Sequence, residues 1–341
     1  MSRSRRIWGV ALWLCTVWVS VTGAQTPEDP KITRWLSDIG RSSERGEFDT
    51  VQELRAKLAD YAAATGHYDV GAQQYELLLA GRPGRAERVK LFTKLGHMRM
   101  ALQNYGQAIG AYDDALHDSP KDWDANLARA RAFWAADINQ RAIESYLRCI
   151  KIRPRDAAPY EEMASVYERE GFFGKALSFY EKALSLEPKP ATYLHLADCY
   201  VHQRNLPAAI SILTQAKTRL PRTDYDVRLG EIYQSLGDMA RTSAAWEEAL
   251  KADPRRDDVR LKLTLVYDHL KRHAEADALF RDLIASYPES PVVHYLKALV
   301  LFDRGEWSAA RAEASRVQQL EPTELVAHFN ELLMAELRKR T

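Results

Sequence analysis

Cysteine is almost missing from this chain, with three in 341 residues: Cys15, Cys149 and Cys199. A fold that leans on a disulfide framework is thereby excluded. Cys15 lies in an apolar leader, and the other two fall on repeat units separated by a whole unit, too far apart to bridge. They read as small packing residues. Chemistry-bearing motifs are missing as well. There is no glycine-rich phosphate loop, no cysteine pair at zinc spacing and no nucleophile motif. An excess of either charge is also lacking. The formal net charge is +1, and about −2 once Arg3, Arg5 and Arg6 are set aside. A nucleic-acid binder would carry a basic stripe. Here the basic cluster of the body is Arg338 to Arg340, which reads as a solvated helix end.

What is present begins with the first 24 residues. Arg3, Arg5 and Arg6 precede an apolar run from Ile7 to Val21, and Thr22-Gly23-Ala24 ends it with small residues. This is the three-part pattern of a secretory signal, with cleavage before Gln25. One rival is an uncleaved anchor over residues 7–24, because the run approaches a bilayer-spanning length. The Ser4-Arg5-Arg6 match to a twin-arginine signal is partial, and Leu14 spoils a lipoprotein box at Cys15. Each reading places the body outside the cytoplasm, in the periplasm or secreted.

The body carries a repeat. Pro83, Pro120, Pro154, Pro188, Pro221, Pro254, Pro288 and Pro322 recur, and from Pro120 onward every interval is thirty-three or thirty-four residues. A fixed period of this length predicts stacked helical units, each burying its apolar face on the next. Aligned on the prolines, the fourth unit reads Tyr160, Met163, Ala164, Tyr167, Gly171, Ala176, Tyr180, Ala183 and Pro188. The second has Phe92, Leu95, Gly96, Tyr105, Ala108, Tyr112, Ala115 and Pro120. This closely resembles the tetratricopeptide repeat, and the match covers nearly all of residues 51–322. The resemblance implies an all-α, right-handed superhelical solenoid of about eight helix-turn-helix units.

The positions have physical readings. Small residues at repeat position 8 let backbones approach a partner at position 20, and position 27 faces the next unit. The aromatics at 11 and 24 fill space between helices. Gly66, Gly171, Gly237 and Gly305 mark the end of the first helix, where a left-handed residue is favoured. The prolines stop each second helix, and Asp122 or Asp156 caps the next. At the ends, Ile32, Trp35, Leu36 and Ile39 suggest a helix closing near Gly46. Glu324 to Lys339 reads as a second capping helix, with Leu325, Phe329, Leu332 and Leu333 inward and Glu331, Glu336 and Arg338 facing water. The expected organisation is a signal or anchor over 1–24, a tail and capping helix over 25–50, the array over 51–322 and a capping helix over 323–341.

Two histidine arrangements were weighed as metal sites. His269 and His273 have i, i+4 spacing but straddle a turn, and His195, Asp198 and His202 share one helix face. Both read better as surface or packing groups, so neither a catalytic residue, a metal nor a cofactor is expected. The resemblance implies instead that ligands lie in a concave groove lined by positions 2, 5, 9, 12 and 13 of each first helix. In the second unit these are Lys90, Thr93, His97 and Met100, and in the third Asp124, Leu127, Arg131 and Trp134. No unit pairs lysine at position 5 with asparagine at 9, so the carboxylate clamp of some family members is missing. The middle of the set is acidic, through Glu161, Glu168, Asp198 and Glu231. Its C-terminal part is apolar, through Leu261, Leu265, Val292, Tyr295, Leu299 and Phe302. This apolar stretch is the leading candidate for a partner segment, unless curvature or the last helix already covers it. The function expected is a non-enzymatic scaffold of the periplasm or cell envelope that binds another protein. The alternatives are a component of an envelope transport or secretion assembly and, further off, a metal-dependent enzyme.

Overall fold

A computed structural model describes residues 29–220 and 222–340, and the leader lies outside them. Among the described residues are eighteen helices and no strand. The first, α1 (Pro30–Glu44), is followed by hairpins α2 (Phe48–Thr65) with α3 (Tyr68–Ala80), α4 (Arg85–Ala101) with α5 (Tyr105–Asp118), and α6 (Trp123–Ala135) with α7 (Asn139–Ile152). Next come α8 (Ala158–Arg169) with α9 (Phe173–Leu186), and then α10 (Pro190–His202) and α11 (Leu206–Arg219). The last hairpins are α12 (Thr223–Ser235) with α13 (Met239–Ala252), α14 (Asp257–His269) with α15 (His273–Ser286), and α16 (Pro291–Asp303) with α17 (Trp307–Gln319). The chain then enters α18 (Glu324–Arg338). These residues divide into two compact units, one running through Asn205 and the other starting at Leu206. No composition break marks that boundary in the sequence.

The repeat register explains the elements. Pro83, Pro120, Pro154, Pro188, Pro254, Pro288 and Pro322 each stand two or three residues beyond the end of a second helix. Lacking an N–H, they cannot continue it. Asp122 accepts a hydrogen bond from the Ala125 amide (2.9 Å) at the start of α6, and Asp156 does the same for the Ala158 amide (3.0 Å) at α8.

Each first helix ends in the same turn. An amide just past the helix, three residues beyond its end in all but α2, reaches back five residues, as in Phe172 to the Tyr167 carbonyl (2.8 Å) and Asp238 to the Tyr233 carbonyl (2.9 Å). The residue just before that amide is left-handed in all eight such turns. Gly66, Gly171, Gly237 and Gly305 are joined there by Gln103, Asp137, Arg204 and Lys271, with φ of 59°, 61°, 59° and 63° for the non-glycines. Glycine is thus one solution to a geometry that the closing hydrogen bonds enforce.

Packing follows the register. Position 27 does face the next unit: Ala115 packs with Ala125, and Cys149 with Met163 and Val166. In the two units where position 8 is glycine, the aromatic at position 24 lies directly against it. A methyl group on Gly96 would collide with the Tyr112 ring, and one on Gly230 with the Trp246 indole. Trp246 is fully buried, and its Nε1 donates to the Val227 carbonyl (3.1 Å), fixing the ring over Gly230. Both described cysteines are buried free thiols, and burial pushes each up to about 12.

Each end helix turns part of its expected face inward, with Trp35 and Phe329 packed beside the buried residues, and leaves one leucine outside. In α1, Ile32 and Ile39 are buried while Leu36 is exposed. Asp29 caps α1 and accepts the Tyr61 hydroxyl of α2 (2.8 Å), which fixes that rotation. In α18 the inward stripe is Val326, Asn330, Leu333 and Leu337, and Leu332 faces solvent. The stripe is offset because Asn330 turns inward to donate to the Ala314 carbonyl of α17 (2.8 Å). One residue of offset rotates a helix face by about 100°.

Candidate functional site

Within the unit ending at Asn205, the first helices of two successive hairpins, α4 and α6, lie side by side. Between them is a cleft of about 360 Å³ lined from α4 by Lys90, Thr93, Lys94 and His97, and from α6 by Asp124, Leu127, Ala128 and Arg131. Lys90, Thr93 and His97, like Asp124, Leu127 and Arg131, are repeat positions 2, 5 and 9. The register therefore brings together residues thirty-four apart in sequence, because equivalent faces of equivalent helices point the same way. Met100 and Trp134, at position 12, are not part of its lining.

The charges of this cleft differ in availability. Lys94 is bound to Asp60 (2.6 Å), and Arg131 meets Glu162 through two guanidinium nitrogens. Lys90 and Asp124 are exposed on its rim. The His97 imidazole sits edge-on to Tyr112 (5.7 Å between centroids). Its pKa is lowered by burial of the ring's inner face, Asp124 pulling upward and Arg131 downward. The site can take hydrogen bonds and charges of both signs.

In α8 and α10 the predicted acidic residues are already engaged. Glu161 accepts the Thr192 hydroxyl (2.6 Å) and pairs with Lys189 (3.3 Å). Glu168 accepts the Tyr180 hydroxyl (2.6 Å) and stands 3.2 Å from His195 Nδ1, whose ring stacks on Tyr180. Burial alone would raise the Glu168 carboxyl, but the His195 and Tyr180 hydrogen bonds hold it below the usual range. The hydrogen bond to Glu168 raises His195 above the ordinary histidine value, burial opposing and Asp198 and Glu161 assisting. Asp198 is half-buried beside them on α10, and His202 stacks on Phe173.

In the unit starting at Leu206, Glu231 accepts from both Lys262 and Arg228 (2.9 Å each). Burial would raise its carboxyl, and these two cations hold it down. His273 binds Asp268 (2.9 Å), so the second histidine of the i, i+4 pair is tied to a carboxylate on the other side of the turn. The six apolar residues lie in or on one cluster built by α14 to α18. Leu261 and Tyr295 are buried in it, so for them the reading in which neighbours cover the patch holds. Leu265, Val292, Leu299 and Phe302 keep part of their surface open. At the end of this row Phe302 meets Trp307 edge-to-face (5.2 Å), and the Arg340 guanidinium lies over both rings, 5.4 Å and 4.8 Å from their centroids. Neither Trp307 nor Arg340 was legible as a site residue. Position 17 has no fixed type, and a basic chain end reads as solvated.

Comparison with known proteins agrees with this register. Two tetratricopeptide repeat family models match the chain, one over residues 93–157 and 162–222 and the other over 233–300. The chain belongs to the tetratricopeptide repeat family. Its fold is that of a protein–protein interaction scaffold, which is usually non-catalytic. Among sequence relatives, cellulose synthase operon protein C of Pseudomonas fluorescens is 22% identical over 280 residues, covering 75% of this chain and 22% of that protein. Human protein O-mannosyl-transferase TMTC1 is 24% identical over 141 residues, covering 40% of this chain and 16% of that protein. The chain thus spans about a fifth or less of the relatives' length. Among solved structures, PilW, a type IV pilus biogenesis factor, has a TM-score of 0.47 and 21% identity, covering 60% of this chain and 96% of that one. YrrB, a tetratricopeptide repeat protein with an unusual peptide-binding site, has a TM-score of 0.45 and 19% identity, covering 55% and 98%. No helix among the described residues is long and apolar enough to cross a membrane.

Proposed function

We propose that this protein is a non-enzymatic scaffold of the periplasm or cell envelope that holds a segment of another protein along the inward positions of its first helices. The observation that carries this reading is the α4–α6 cleft, whose lining is drawn from positions 2, 5 and 9 of two consecutive repeats. A cleft built from equivalent positions of two successive repeats suits an extended or helical segment better than a small molecule. In the unit starting at Leu206, the partly open Leu265, Leu299 and Phe302 offer an apolar surface at positions 9 and 12. In this reading residues 1–24 are a signal or anchor, 25–50 and 323–341 flank the array, and 51–322 supply the binding positions. The n-region arginines and apolar run support the address. A second reading, a component of an envelope transport or secretion assembly, is favoured by the match to cellulose synthase operon protein C.

The test is capture of a partner from native envelope by the purified protein, identified by mass spectrometry. Changing Leu265 and Phe302 together to Asp is expected to abolish capture while helical circular dichroism is preserved. Thr93→Trp, which fills the N-terminal cleft, is expected to weaken it. Undiminished capture by both variants overturns the reading.

A further inference from the structure

The C-terminal end of the apolar row carries an occupant of its own. Arg340 follows α18 and is exposed, yet its guanidinium covers Phe302 and Trp307 at cation–π distance. Phe302 is position 12 of its repeat and an inward-facing residue, with Leu299 one turn earlier on the same face of α16. The adjoining Asp303 is exposed, and its carboxyl is raised by partial burial and by Asp268, with Lys271 opposing. The neighbouring carboxylates are used differently. Asp268 and Asp277 are held by the buried Arg304 side chain at 2.6 and 2.8 Å. An aromatic corner and an aliphatic step therefore stand together, and the chain's own arginine rests on the corner.

We propose that the Phe302–Trp307 corner receives an arginine side chain from an amphipathic segment of a partner protein, and that Arg340 is the internal competitor for that place. This rests on the reading of the inward positions as the partner surface and adds the chemistry of the partner. The geometry favours arginine over lysine, because a planar guanidinium stacks on a ring face while an ammonium is a hydrated point charge. Leu299 takes an aliphatic neighbour on the incoming segment. Arg340 is a single exposed side chain, so a segment bringing both an arginine and apolar neighbours displaces it.

The experiment is fluorescence anisotropy with two labelled synthetic amphipathic peptides, identical except for one Arg replaced by Gln. They are titrated with the wild-type protein, with Arg340→Ala and with the double variant Arg340→Ala, Trp307→Leu. Arg340→Ala is expected to bind the Arg peptide about two- to fivefold more tightly than wild type. The Gln peptide should gain nothing, and adding Trp307→Leu should erase the gain. Binding of both peptides with equal affinity to Arg340→Ala overturns the inference and leaves the groove reading standing. An unchanged affinity for the Arg peptide in Arg340→Ala does the same. Failure of either peptide to bind any of the three proteins overturns both. Arg340→Ala removes only an exposed side chain, so the decisive comparison does not depend on how Trp307→Leu folds.

Discussion

Gln103, Asp137, Arg204 and Lys271 adopt a backbone conformation that side chains with a Cβ disfavour. They do so because the turn around each is closed by two hydrogen bonds to the preceding helix, whose energy exceeds the local strain. Replacing one of them with glycine should release that strain, offset in part by the greater chain entropy of glycine when unfolded. Gln103 is the cleanest site, being exposed and without a side-chain hydrogen bond. Gln103→Gly is expected to stabilise the protein by about 1 kcal/mol, read as a rise in the midpoint of urea unfolding. A fall would show that the Gln103 side chain does something its surroundings do not reveal. Gly96 and Gly230 are the opposite case. Each is glycine because a ring occupies the place of its side chain.

Between elements, neighbouring repeats are tied by ion pairs from position 6 of one first helix to position 9 of the next or previous. Lys94 with Asp60, Arg131 with Glu162 and Lys262 with Glu231 all follow this geometry. Of the acidic residues read from sequence as a partner surface, Glu231 belongs to this stitching, while Glu161 is engaged by Thr192 and Lys189 and Glu168 by Tyr180 and His195. The Glu168–His195 contact between α8 and α10 adds a titrating member. His195 is raised in the folded state, so its contribution is full below the unfolded histidine pKa and is lost as pH rises through the folded one. Glu168 is lowered, so its contribution is present above the unfolded carboxylate pKa and is lost as pH falls through the folded one. The pair is therefore strongest in the mildly acidic range between them. His195→Gln should lower stability most near pH 6, and the gap from wild type should close as pH rises above neutrality. Urea titrations across that range decide it, and a gap that grows with pH would contradict the assignment.

For the molecule as a whole, α18 covers one face of the hairpin that precedes it. It places Val326, Leu333 and Leu337 on the cluster shared with α16 and α17. Burying three such side chains is worth about 4–8 kcal/mol, a large fraction of an ordinary domain's stability. Ending the chain after Pro322 should make α16 and α17 susceptible to limited proteolysis under conditions where the full chain resists. The register of the hairpins was legible because it is written in small residues, aromatics and prolines whose roles are local and recur. The seating of α18 was not, because Leu325, Phe329, Leu332 and Leu333 make as good an apolar stripe as the one used. Asn330 decided between them through one hydrogen bond to α17.

The sequence by itself determined the helices, their pairing into hairpins, the stops between them and the positions that face inward, since each depends on contacts within a repeat or its neighbour. Tertiary structure alone decided which charges are free, which apolar residues are open, and that Arg340 returns to the Phe302–Trp307 corner. Those outcomes depend on where helices from different repeats come to rest. A periodic pattern fixes which face a residue is on and not what lies opposite it.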